Sequence, residues 1–370
     1  MNPYGNYPDL DKINRIMIIK LRHHGDVLLT SPVFSILKSR FKNIEIYAYI
    51  YRETLPVLDG HPAIEGFHLY DMKWKTFPFP KRVIEEIKLI RQIQKKRYDL
   101  VINLTEGDRG AFTAFLSKAK YRVGLDPEGQ GFIFKKNVYT HIIKRSRKPR
   151  HMVEQSLDAL RRIGIFPSPE ERDLFIYIPE SAARRISDYL KQAGIRNRSY
   201  ILIHPTSRWM FKCWPADKVA RLIRILHEKG CRIVMSSSPD KKELFMIDEI
   251  ISLCSDIPIL SLAGRLTLKE LAALIQNCSC LVGIDSLPMH MASALKVPTV
   301  ALFGPSSEEA WGPWKNPLGC VIAEKFSCRP CNLDGCGGSK VSDCLEQLPV
   351  ENVLKKILML INLKQNKIDP

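Results

Sequence analysis

No run of this sequence is apolar for the roughly twenty residues that a bilayer core demands, which argues against a membrane-spanning protein. Residues Met1 to Lys12 are polar and rich in Pro and Asn, without a basic stretch leading into an apolar one, so no secretory signal is expected. The expected location is therefore the cytoplasm, with the ten cysteines reduced. The Gly-x4-Gly-Lys-Ser/Thr spacing of a P-loop is missing. No Gly-x-Gly-x-x-Gly follows any strand-like run, which removes the main support for a dinucleotide oxidoreductase. Internal repeats and low-complexity segments are absent as well.

Acidic residues are in short supply. Asp and Glu number 39 against 56 Lys and Arg, a net charge of +17. The deficit is lopsided: residues 1–170 hold 30 basic against 18 acidic side chains, the remainder 26 against 21. Basic residues crowd between Met72 and Arg97 and between Lys118 and Arg150, including the run Lys144 to Arg150. Such asymmetry points to a polyanionic partner: nucleic acid, an anionic membrane surface or a phosphorylated acceptor. A nucleic-acid-binding protein is the least favoured, because no known module appears and the basic runs lack interleaved aromatics.

What is present is an alternation of strand-like and helix-like runs, the pattern of parallel sheets built from βαβ units. Strands are expected at Ile13–Leu21, Ile44–Ile50, Gly66–Tyr70, Tyr98–Leu104, Tyr121–Gly124 and Val138–Ile143. In the second half they are expected at Tyr200–His204, Cys231–Ser236, Leu281–Ile284 and Val297–Phe303. Helices are expected between them, among them Val27–Phe41, Lys81–Lys96, Ala216–Lys229 and Val350–Leu363. Thr267-Leu268-Lys269-Glu270 reads as a capping box, and Gly230 as a helix stop. At 370 residues the chain suits two domains, joined near Ile178-Pro179-Glu180. The expected fold is α/β, two doubly wound Rossmann-like domains facing across a cleft, with the site at the carboxyl ends of the strands.

Asp26 stands at the first such end, in Lys20-Leu21-Arg22-His23-His24-Gly25-Asp26-Val27. Asp is a favoured helix N-cap, and a carboxylate there also suits a general base. Gly25 would permit a tight turn or a close ligand. In the second half, His204 to Pro215 gathers Thr206, Ser207, Arg208 and Lys212 between a strand and a helix start. Those groups are equipment for an anion. Asp285, Ser286 and His290 occupy another strand-to-helix junction, where capping and sugar binding compete. Phe303-Gly304-Pro305-Ser306-Ser307 forms a third. Three polar strand ends in one half favour a nucleotide or sugar site. Cys328, Cys331, Cys336 and Cys344 are ligand-type residues, but their spacing does not pair two short knuckles, so a reduced packed loop is preferred to zinc.

Together, Lys20 to Pro32, His204-Pro205-Thr206-Ser207, Lys212-x-Trp214-Pro215, Asp285-Ser286 with His290, and Phe303-Gly304-Pro305 resemble the family 9 glycosyltransferases, the bacterial lipopolysaccharide heptosyltransferases. The likeness spans nearly the whole chain and departs at Trp209-Met210-Phe211. The His23-His24 doublet and the segment Gly337 to Leu345 resemble the branch that adds a side heptose to an inner-core heptose. The resemblance implies a GT-B fold, ADP-heptose as donor, inversion at the anomeric carbon, no metal and no other cofactor. It implies an acceptor domain at residues 1–179, a donor domain at 180–349, and a final helix in 350–370 packing back on the first domain.

Its acceptor set would be Arg22, His23, His24, Gly25, Glu106 and Arg109; its donor set Thr206, Ser207, Lys212, Leu266, Asp285, Ser286 and His290. One base suffices for such a displacement, and Asp26 is the candidate. Lys212, the helix start after Pro215 and the hydroxyls of Thr206 and Ser207 would steady the leaving diphosphate. The partners implied are ADP-heptose, the lipopolysaccharide core and the anionic cytoplasmic face of the inner membrane. Another core heptosyltransferase, or another nucleotide-sugar transferase of the same fold, is the alternative.

Overall fold

The computed structural model describes residues 7–146 and 148–365. Met1 to Asn6, Arg147 within the basic run, and the end of the tail from 366 lie outside the described residues. The chain divides into two units, residues 1–177 and 178–370, two residues before the boundary expected at 179/180.

The first unit is built on six parallel strands: β1 (Arg15–Lys20), β2 (Glu45–Tyr51), β3 (Gly66–Tyr70), β4 (Leu100–Asn103), β5 (Tyr121–Leu125) and β6 (His141–Ile143). Their order is β3-β2-β1-β4-β5-β6. Helices α1 (His24–Leu28), α2 (Ser31–Arg40), α3 (Leu55–Leu58), α4 (Phe79–Lys96), α5 (Asp108–Leu116) and α6 (Met152–Arg161) connect and flank them. Central strands such as β1 and β4 are nearly all apolar and buried, because both faces of a parallel sheet are covered.

The second unit repeats the plan with β7 (Tyr200–His204), β8 (Arg232–Met235), β9 (Ile259–Ser261), β10 (Cys280–Ile284), β11 (Thr299–Leu302) and β12 (Gly319–Ile322), in the order β12-β11-β10-β7-β8-β9. Its helices are α7 (Glu180–Gln192), α8 (Ala216–Glu228), α9 (Lys241–Leu253), α10 (Leu268–Gln276), α11 (Leu287–Ala294), α12 (Glu308–Trp311), α13 (Asp343–Glu346) and α14 (Val350–Gln365). In each sheet the first strand of the unit has its neighbours on opposite sides of the sequence order. The reversal falls between β1 and β4, and between β7 and β10. Ligands of doubly wound sheets bind at that point.

Three local expectations change. The helix expected over Val27–Phe41 is two helices, broken where the Thr30 hydroxyl donates to the Val27 carbonyl (2.7 Å) and Pro32 starts α2. Strands β9 and β12 were not anticipated, being edge strands of three and four residues. The buried α14 residues Val350, Val353, Ile357 and Leu360 share one face and join the core of the second unit with Trp214, Ile223 and Val300. The helix puts its apolar stripe against α8 and the β10–β12 side of the sheet in its own unit. Trp214 Nε1 and Lys218 Nζ, both donating to the Leu348 carbonyl, anchor the chain just before it. The capping box at Thr267 and the left-handed Gly230 (φ +77°) after α8 are as expected.

Candidate functional site

In the first unit β1 ends at Lys20, a buried cation that follows the apolar run Ile16–Ile19. Its ammonium donates to the Leu104 carbonyl at 3.1 Å, beyond the end of β4. Burial pushes it below the usual lysine range, and the Asp26 carboxylate pulls the other way. The Leu21 amide donates to Thr105 Oγ1 (2.8 Å), and the Thr105 amide to Asn103 Oδ1 (3.0 Å), so the two strand ends are tied together. Asn103 in turn donates to the Tyr139 hydroxyl (2.7 Å). Position 110 has to be glycine here, since a Cβ would come within 2.5 Å of Asn103 Oδ1.

Asp26 sits in the first turn of α1, where negative charge suits the free amides of a helix start. It is not the N-cap. That position is His23, and no side chain caps the helix. Gly25 is an ordinary helical residue, so the turn does not draw on its left-handed freedom. The Asp26 side chain retains 13% exposure, and Arg22 Nε stands 4.0 Å from its Oδ1. Arg22 also reaches Glu106 at 3.9 Å, and Glu106 pairs with Arg145 at 2.9 Å. His24 Nε2 lies 2.9 Å from the Glu53 carbonyl. The unit thus gathers Lys20, Arg22, Asp26, Glu106 and Arg145 at the carboxyl end of β1 and β4. Arg109 belongs elsewhere: it grips Glu86 with both terminal nitrogens (3.0 and 3.2 Å) and stacks 3.9 Å over the Tyr70 ring. Its work is to fasten α5 to α4.

In the second unit the loop after β7 is held from beneath by Glu243 of α9. This buried carboxylate accepts from Thr206 Oγ1 (2.7 Å), Ser238 Oγ (2.6 Å) and the Ser238 amide (3.3 Å). The Thr206 hydroxyl is committed to that bond. Ser207 Oγ donates to the Trp209 carbonyl and accepts from its amide, a tight local turn. His204, buried at the strand end, lies 2.9 Å from Ser236 Oγ; burial holds it neutral, against the pull of Glu243. At the neighbouring strand end Asp285 accepts from Lys212 Nζ at 2.6 Å. Side-chain exposure is 7% for Asp285 and 22% for Lys212, so this is a largely buried ion pair. It bridges β7 and β10, the two strands at the reversal. Two groups that the sequence placed at separate junctions are one unit.

Ser286 holds the N-cap position of α11, but its hydroxyl turns back to the Ile284 carbonyl (3.3 Å) rather than capping. His290 is buried one turn into α11, its ring centroid 6.4 Å from that of Trp311. Leu266 is half-buried, just before the cap of α10. The segment Gly337 to Leu345 lies under the anion loop. Ser342 Oγ donates to the Phe211 carbonyl (2.6 Å), and Leu345 packs so close to Gly304 that a Cβ there would meet it at 2.6 Å. Trp209 is 44% exposed, with the Arg208 guanidinium 4.7 Å over its ring. A groove of about 620 Å³ opens at the start of α8, lined by Phe211, Pro215, Lys241, Lys242 and Phe245 among others. Lys212 and Asp285 do not line it, so the helix start and the ion pair serve different spaces.

Glu243 and Thr105 escaped the sequence. Neither stands in a motif, since each acts by reaching a loop far along the chain. Lys20 carried a signal, a charge closing a buried strand, and so did Arg145 in its basic run. All ten cysteines are free thiols. Among the described residues no three His, Cys, Asp or Glu side chains gather in a way that could hold a metal ion. No helix among them is long and apolar enough to cross a membrane.

Residues 86–341 match the model of glycosyltransferase family 9 (heptosyltransferase). The chain is 33% identical over 298 residues to lipopolysaccharide heptosyltransferase 3 of Escherichia coli, covering 80% of this chain and 86% of that one. Among solved structures it is similar to a family 9 glycosyl transferase from Veillonella parvula (TM-score 0.80, 23% identity, 94% and 97% of the two chains). It is also similar to the E. coli ADP-heptose lipopolysaccharide heptosyltransferase II (TM-score 0.75, 21% identity, 95% and 99%). These likenesses put the doubly wound pair of units in the GT-B fold class.

Proposed function

The chain belongs to glycosyltransferase family 9, and from that membership we propose that it is an inverting heptosyltransferase of the lipopolysaccharide inner core, of the heptosyltransferase III type. It would move L-glycero-D-manno-heptose from ADP-heptose to a heptose already in the core. The observation that carries this reading is the pairing of polar groups with the two strand-order reversals: Asp26 at one, Lys212 with Asp285 at the other.

The chemistry follows from those groups. An acceptor hydroxyl attacks the anomeric carbon, the bond from that carbon to the diphosphate breaks, and ADP departs with the electron pair. Asp26 takes the hydroxyl proton as the new bond forms. The Arg22 guanidinium stands 4.0 Å from its Oδ1, and the buried Lys20 ammonium feels its charge. Negative charge grows on the diphosphate, and a fixed ammonium at Lys212 is worth most there, where water is scarce. Asp285 holds that ammonium in place and presents its remaining lone pairs to sugar hydroxyls. A leaving diphosphate needs no carboxylic acid to protonate it, unlike the leaving oxygen in glycoside hydrolysis. Arg22, Glu106 and Arg145 offer paired charges to a phosphorylated or carboxylated acceptor. Such an acceptor lies on the cytoplasmic face of the inner membrane, and the basic first unit suits that surface.

The test is incubation with ADP-heptose and a panel of core-truncated lipopolysaccharides, followed by mass and linkage analysis. A single heptose added as a branch on an inner-core heptose supports the reading. Extension of the main chain instead would assign the heptosyltransferase II step. Absence of transfer from ADP-heptose, with transfer from another nucleotide sugar, would overturn the donor.

A further inference from the structure

The first unit exposes large apolar side chains on two packed helices, α4 and α5, and on the loop beside α5. On α4, Phe79 (77% exposed), Val83 and Ile87 recur at four-residue spacing, with Ile84 beside them. The α5 helix lies along that side of α4, fixed by Arg109 to Glu86 and by Gln94 Nε2 to the Leu116 carbonyl (2.7 Å). Its own outer face carries exposed Phe112, Phe115 and Leu116. Phe112 stacks on Phe132 with ring centroids 4.3 Å apart, which adds the loop tip Ile133 (81%) and Phe134 (75%). Phe134 also holds a left-handed backbone (φ +68°), a conformation that a bulky residue resists. Scattered exposed apolar residues are ordinary; their concentration on two packed helices and the loop stacked against one of them marks a contact surface.

The rim of this surface is basic. Residues 72–97 contain nine Lys and Arg against two Glu. Lys81, Lys88, Arg91 and Lys95 lie on the exposed side of α4, and Lys118, Lys120 and Lys136 flank α5 and the loop. Aromatic and aliphatic side chains ringed by cations are the composition of a surface that enters the headgroup layer of an anionic bilayer. The position fits as well. Phe79, the start of α5 and the Phe132–Phe134 loop follow the carboxyl ends of β3, β4 and β5, the end of the sheet that carries Asp26. Lys135 joins the two regions, its ammonium reaching the Glu106 carbonyl (2.6 Å) and Asp108 (2.9 Å).

We infer that the outer face of α4 and α5 with the loop Phe132–Phe134 docks on an anionic phospholipid bilayer, inserting Phe79, Ile84, Ile133 and Phe134. The inference rests on the proposed function insofar as a lipid-anchored acceptor gives the docking its purpose. Its test needs no acceptor.

Full-length protein is sedimented with vesicles of phosphatidylethanolamine and phosphatidylglycerol, and with vesicles of phosphatidylcholine alone. Partition should favour the anionic vesicles and fall as salt is added. The pairs Phe79→Ser with Ile84→Ser, and Ile133→Ser with Phe134→Ser, should each lower it roughly tenfold or more, as losing two inserted apolar groups implies. Melting curves of these variants should match the parent, because the side chains are exposed. Transfer to a delipidated core oligosaccharide should stay at the parent rate. Variants that bind anionic vesicles like the parent, or a parent indifferent to lipid charge, overturn the inference. So does a dimer by light scattering, twice 42.4 kDa, that the same substitutions dissociate, for the surface would then belong to a second copy. Failure of heptose transfer with vesicle binding intact would instead count against the proposed function alone.

Discussion

Replacing Lys212 by Met deletes an ammonium but keeps most of its apolar stem, which isolates the charge in the Lys212–Asp285 pair. At 2.6 Å the attraction is about 6 kcal/mol for an effective dielectric near 20. Desolvation of both groups consumes much of that, since Asp285 keeps only 7% of its exposure. The stability of the variant is set by what is left behind, a buried carboxylate with no counter-ion. Breaking a buried pair costs about 3–5 kcal/mol, and the partial exposure of Lys212 lowers the expectation to about 2–3 kcal/mol. Asp285→Asn should cost less, about 1–2 kcal/mol, because the lysine stem can swing its charge toward water. The double variant should recover part of the loss, with a coupling of about 2 kcal/mol.

Urea unfolding followed by tryptophan fluorescence suits the measurement, since four of the five tryptophans (Trp209, Trp214, Trp311 and Trp314) belong to the second unit. If Lys212→Met unfolds within about 0.5 kcal/mol of the parent, or the double variant is additive, the pair is not the strut between β7 and β10. Transfer should collapse in both single variants and stay low in the double one. Restored stability without restored turnover would separate the structural part of Lys212 from the part proposed for it in holding the diphosphate.

Asp26→Asn keeps the size of the side chain and removes the proposed base. Single-turnover transfer should fall by about 10²–10⁴, with ADP-heptose affinity by titration calorimetry nearly unchanged; near-parent turnover would remove the general-base role. Glu243→Ala should cost the second unit about 2–4 kcal/mol in urea unfolding, because Thr206 Oγ1 and Ser238 Oγ lose a shared charged acceptor; donor affinity should weaken with it. In the first unit, burial lowers His68 to about 4, with Lys96 adding to the effect. Between pH 6.5 and 4 the unfolded chain takes up this proton and the folded one does not, so stability falls as pH drops through that window. The His68 contribution at pH 5 is about 2 kcal/mol relative to pH 7, read as the difference in pH dependence between the parent and His68→Gln. Parallel curves would contradict it.

Much of the fold was legible because a doubly wound sheet advertises itself locally. Strands buried on both faces are continuous apolar runs, as in Ile16–Ile19 and Leu281–Ile284, and the helices between them repeat every three to four residues. Edge strands β9 and β12 were illegible for the same reason: three or four half-buried residues carry no pattern. The break at Thr30 was hidden because apolar residues continue on both sides of it, at Val27–Leu29 and Val33–Phe34. The packing of α14 in the core of the second unit was not legible, since an apolar stripe says that a face is buried and not against what. Arg109, adjacent in sequence to the candidate site, is drawn away by Glu86, a partner 23 residues earlier.

The sequence alone determined the architecture class and the junctions that carry polar side chains, and it offered Asp26, Lys212, Asp285 and His290 there as candidates. These follow from local pattern, which needs only neighbours along the chain. Tertiary structure alone decided which of those groups meet. It joined Lys212 to Asp285, tied Thr206 to Glu243, set Lys20 near Asp26, and left Arg109 to fasten two helices. It also spread the apolar residues of α4, α5 and the Phe132–Phe134 loop into one surface. Such pairings depend on strand order and helix register across tens of residues, and they are settled by packing and by the cost of leaving a buried charge alone.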